Sequence, residues 1–136
     1  MKRDLLLILD PGFESTVGHH YDYNRAVAHA VKERYGYDVI VLSYKNATVD
    51  DKFLRVEKVF SRSYYRPPVV SFRGKVSVIL SVFLANFYFF RDVLLYFKRK
   101  KIRSCFLFIH TINHEQFIGL VLFLMYARLK NLNIRR

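Results

Sequence analysis

LLLILDPGFESTVGHHYDYNRAVAHAVKERYGYDVIVLS, residues 5–43, decides the fold. Leu5 to Leu9 is a continuous apolar run closed by Asp10-Pro11-Gly12, the pattern of a strand buried on both faces. A loop with Gly12 and Gly18 leads to a helix predicted over residues 19–35. Its apolar residues Tyr23, Val27, Ala30 and Val31 recur at helical spacing. Gly36 stands where a left-handed C-terminal cap belongs. Asp38-Val39-Ile40-Val41-Leu42-Ser43 follows as a second buried strand. Strand, glycine loop, helix, tight turn and strand make a βαβ unit, hence a parallel sheet.

The rest of the chain continues the alternation. Residues 50–60 read as a short helix with Phe53, Val56 and Phe60 on one side, and residues 69–72 as a brief strand. Residues 75–97 form a long helix, apolar almost all round, with basic residues after it that suit the helix dipole. Residues 104–109 make a third fully apolar strand ending at His110-Thr111. A last helix is predicted over residues 114–130, with Phe117, Leu120, Val121 and Leu124 on one face, and Ile134 opens a further strand. The expected architecture is one α/β domain over residues 1–136. It is a Rossmann-like open parallel sheet with helices on both faces, which stops as an incomplete single lobe.

At 136 residues and 52% apolar content the chain can bury a real core, which excludes disordered and collagen-like classes. A lone cysteine, Cys105, rules out an intrachain disulfide framework and a cysteine-rich zinc site, and suits the cytoplasm. Charge is uneven. Residues 1–51 carry six Lys/Arg against eight Asp/Glu, residues 52–136 seventeen against three. The basic cluster Lys98, Arg99, Lys100, Lys101 and Arg103 adjoins an aromatic-rich helix, a composition that fits anionic headgroups on the inner face of the membrane. It is expected to bind there peripherally and to lose most of that binding in high salt. Residues 76–90 lack charge for 15 positions, short of the roughly 20 that a span needs. Only five apolar residues follow the charged start, too few for a signal peptide. Nucleic acid would also meet the charge, but no recognition module is visible, which ranks it behind a membrane surface.

Two places carry candidate chemistry. The loop after the first strand, with Gly12, Gly18, His19 and His20, lies where ligands bind in open α/β sheets, beyond the carboxyl ends of strands. Its spacing is neither Gly-x-Gly-x-x-Gly nor a phosphate loop ending in Gly-Lys-Ser/Thr, which removes support for ordinary dinucleotide and triphosphate binding. The second place is His110 with Thr111, closing a buried strand. His114-Glu115 lacks the second histidine of a zincin motif, so no metal site is expected; His29 is structural.

The phrase DPGFESTVGHHYDYNRAVAHAVKERYGYDVIVL, with LFIHTINHEQFIGLVLFLMYARLK later, resembles the N-terminal lobe of bacterial GT-B-fold glycosyltransferases of the retaining type. The resemblance implies a lobe that receives the sugar acceptor, with Gly18 as the family's loop glycine and His110 facing the cleft between lobes. His19 and His20 are then acceptor contacts. It implies no cofactor beyond a nucleotide-sugar donor held by a second lobe. That lobe's paired glutamates have no counterpart: Glu14, Glu33, Glu57 and Glu115 include no pair at the family's spacing. A donor-lobe protein acting in trans is the implied partner, and the isolated chain is expected to be inactive. The alternative is a non-catalytic Rossmann-like domain that binds a partner or a membrane surface.

Overall fold

A computed structural model describes residues 3–63, 65, 75–110, 112 and 114–135. The elements are β1 (Leu5–Leu9), α1 (His19–Tyr35), β2 (Asp38–Tyr44), β3 (Arg55–Phe60), α2 (Lys75–Lys100), β4 (Ser104–Ile109), α3 (His114–Leu129) and β5 (Asn133–Arg135). All strands are parallel, in the order β3-β2-β1-β4-β5. This is a Rossmann-like α/β sheet, and the order reverses between β1 and β4.

Alternation along the buried strands sorts their side chains onto two layers. Leu7, Leu9, Ile40 and Leu42 meet Phe89, Val93, Tyr96 and Phe97 of α2 and Leu120 and Phe123 of α3. Leu6, Ile8, Val39 and Val41 meet Phe13, Leu54 and Ala28 of α1 on the other face. Fully burying side chains of this size stabilises the fold by about 1.5–3 kcal/mol each. Gly36 ends α1 at φ 64°, in the left-handed region expected of it, and its N–H donates to the Lys32 carbonyl.

Two expectations are corrected. Residues 55–60 are strand β3, not part of a helix. The outer edge of β2 offers unpaired backbone groups, and β3 takes them in parallel register from Ile40–Arg55 onward while Phe60 stacks on Phe89. Val56 and Val59 suit a strand, and that ladder outweighs the helical spacing of Phe53, Val56 and Phe60. On α1 the buried residues are His20, Asn24 and Ala28, and Ala30 faces out. The brief strand expected at 69–72 lies outside the described residues.

Candidate functional site

Asp10 follows β1 directly and is completely buried. Its N–H donates to the Leu42 carbonyl, and the N–H of His110 donates to that of Leu9, so both residues are fixed to the sheet's carboxyl edge. The Asp10 carboxylate gathers four donors. Gly12 N–H reaches Oδ1 at 3.1 Å, and His20 Nδ1 lies 2.9 Å from both oxygens. Asn24 Nδ2 donates to Oδ2 at 2.6 Å, and His110 Nδ1 lies 3.1 Å from the same oxygen. A carboxylate only accepts, so each imidazole turns a protonated Nδ1 toward it and its Nε2 away.

The charge of Asp10 is stable in a dry place because every lone pair has a donor. His20 and Asn24 sit four apart on α1, which puts both side chains over the end of β1. The His20 Nε2 accepts a hydrogen bond from the Tyr65 hydroxyl at 2.8 Å. Tyr65 is held in turn by its N–H, which donates to Ser63 Oγ, while that hydroxyl donates to the Glu14 carboxylate. Tyr23 stacks on His110 with ring centroids 4.2 Å apart, and His110 meets His20 edge-on at 5.2 Å. Beside this cluster opens a cleft of about 240 Å³, lined among others by Gly12, Glu14, Ser15, Gly18, His19 and Tyr65.

Of the residues singled out in the sequence, Gly12, His20 and His110 meet at Asp10. Gly12 must lack a side chain: a Cβ there would stand 2.7 Å from His20 Cε1. Gly18 precedes α1 at φ 99°, a conformation that favours glycine. His19 is exposed on the cleft wall, its ring 4.2 Å from that of His20. Thr111 lies outside the described residues. His29 pairs with Glu33 at the surface. Lys98, Arg99, Lys100, Lys101 and Arg103 lie at the opposite edge, because a helix preceding a parallel strand ends where that strand begins. There Lys100 pairs with Glu57 at 2.8 Å, and Lys98 lies over the Tyr126 ring.

Sequence reasoning missed Asp10, Asn24, Tyr23 and Tyr65. Asp10 was legible as an acid directly after a run buried on both faces, and Asn24 as the residue one turn beyond His20. Tyr65 carried no signal. Asp10, His20 and His110 also form a group of three metal-ligating side chains, their ligand atoms within 4.8 Å of one another. The 2.9–3.1 Å separations are those of charge-assisted hydrogen bonds between the groups themselves.

No family model matches the chain, and no curated protein or solved structure matches it either. The site is therefore read from its own chemistry. An imidazole oriented by a buried carboxylate presents a basic Nε2, able to hold a hydroxyl and to receive its proton.

Proposed function

We propose that this chain is the acceptor-side lobe of a glycosyltransferase whose donor-binding lobe is supplied in trans. One observation carries the reading: a buried carboxylate orients two histidines beside a polar cleft where the strand order reverses, the place at which open α/β sheets bind ligands. Tyr65 offers His20 a hydroxyl, the group by which a sugar acceptor would be held. In the proposed complex an acceptor hydroxyl takes that place on Nε2 and loses its proton to His20 as its oxygen bonds to C1 of the donor sugar, while the bond from C1 to the phosphate oxygen breaks and the nucleotide leaves on the second lobe. His19 and Gly18 line the acceptor's path. The nucleotide-sugar donor is gripped by the second lobe, because transfer needs both substrates in near-attack geometry.

The test is an NMR titration of the chain with a panel of mono- and oligosaccharides. The expected result is shifts confined to residues 10–24 and His110, lost in Gly12→Ala, whose new methyl displaces His20 from Asp10. Nucleotide release from nucleotide sugars should be absent for the chain alone. Saccharides that leave these resonances unmoved, or move them equally in Gly12→Ala, would overturn the acceptor site. Sugar transfer by the isolated chain would overturn the need for a second lobe.

A further inference from the structure

The outer face of the α2–α3 layer is not used by the site. The two helices meet closely: the Gly119 N–H donates to Asn86 Oδ1 at 2.6 Å, and Phe89, Val93 and Phe123 turn inward to the sheet. Away from the sheet the layer exposes Ile79, Phe83 and Phe87 on α2 and Phe117, Leu122 and Met125 on α3, each between 46% and 70% accessible. On α2 the three recur at steps of four, which aligns them in one stripe. The most apolar 18-residue window of Val76–Lys100 has a mean hydropathy of 1.8, yet only 28% of it is buried. Soluble monomers rarely leave an apolar surface of this extent open.

Charge identifies the occupant. Exposed Lys98 and Arg99 close α2, and exposed Arg128 and Lys130 close α3. Residues 61–136 contain fourteen Lys/Arg but only two acids, Asp92 and Glu115. Asp92 is buried and spent on the Ser61 N–H and on Arg91. A second copy docked through this same face would bring the same cations with almost no acids to meet them. An anionic bilayer offers hydrocarbon to the centre of the face and phosphate to its rim.

We propose that the α2–α3 face docks in the plane of an anionic phospholipid membrane, its apolar stripes inserted and its terminal cations on headgroups. The helices lie along the surface and do not cross it. Asp92 is bonded to the start of the loop after β3, and Phe89, Val93, Tyr96 and Phe97 belong to the sheet's core. Spanning would tear all of these out. Docking is independent of the acceptor-lobe proposal, since it uses none of that site's residues.

The chain has no tryptophan, so Phe83→Trp installs a single depth reporter. Tyr35→Trp, at an exposed position on α1 across the sheet, serves as its control. With vesicles of phosphatidylcholine and phosphatidylglycerol, the F83W emission should shift to the blue and be quenched most by bromine near the headgroups. The Y35W emission should not move. Binding should fall in 1 M salt without vanishing, because the apolar contribution is not screened. Ile79→Glu with Met125→Glu should lower the partition coefficient roughly tenfold or more while circular dichroism stays unchanged. If that double variant fails to fold, the F83W depth reading stands alone. The proposal is overturned by an unshifted F83W emission, by complete release in 1 M salt, or by strongest quenching from bromine at the bilayer centre. A blue shift that occurs without lipid and follows chain concentration would overturn it in favour of self-association.

Discussion

Asp10 concentrates the molecule's polar chemistry in one side chain. Asp10→Asn keeps the volume but turns an amide N–H toward donors that now lack a partner. The expected cost is about 3 kcal/mol, read as a fall in the urea midpoint. A loss well under 1 kcal/mol would mean that His20, Asn24 and His110 do not depend on this carboxylate. Cys105 behaves in the opposite way. It is buried, and desolvation pushes its thiol up to about 12. The thiolate is the reactive form, so alkylation at pH 8 should be negligible in the native chain and appear only with unfolding. Rapid native-state alkylation would contradict the burial described for β4. At this scale the sequence exposed Gly12, His20 and His110 through their place after strands. It concealed Asn24, because an amide one turn into a helix looks like a solvated residue until a buried acid stands opposite it.

Among the elements, the contact of α2 with β3 responds to pH. Burial raises the affinity of Glu57 for its proton, but the ammonium of Lys100 and the guanidinium of Arg55 outweigh that and hold its carboxyl below the usual value. A carboxyl lowered in the folded state stabilises at pH above its unfolded value, and that contribution disappears as pH falls through the lowered folded value. Glu57→Gln should therefore flatten part of the acid limb of a stability–pH curve and remove about 0.5–1 kcal/mol near neutrality. An unchanged acid limb would show that the bridge contributes nothing. The contact of α2 with α3 is steric. A Cβ on Gly119 would lie 2.5 Å from the Asn86 carbonyl oxygen, so Gly119→Ala should cost about 1–3 kcal/mol by forcing the helices apart. A thermal melt that matches the parent's would refute that close approach. The end of α1 was legible because Gly36 punctuates the chain, whereas α2 runs three residues past the expected end at 97 and takes Lys98, Arg99 and Lys100 into its last turn. The strand at 55–60 was not, since its partner is the edge of β2 and the alternation there is too weak to stand alone.

For the whole molecule, the sheet order predicts where stability resides. Central β1 has both neighbours and four of its five residues buried, whereas β5 has three residues, none of them buried. Native-state hydrogen exchange should be slowest in β1 and β2 and fastest in β5. Equal protection across the sheet would mean that the chain opens only as a single unit. What the sequence by itself determined is the α/β class. Continuous apolar runs at 5–9, 39–42 and 105–109, separated by helical spacing and glycines, record local burial, and burial on both faces requires helices on both sides. The tertiary structure alone decided which strands are neighbours, and so brought together residues 10, 20, 24, 65 and 110. It alone also decided that the apolar surfaces of α2 and α3 divide into a buried side and an open one. Hydrophobic periodicity states that a side chain prefers to leave water. It does not state what the side chain will meet, because that depends on contacts between segments far apart in the chain.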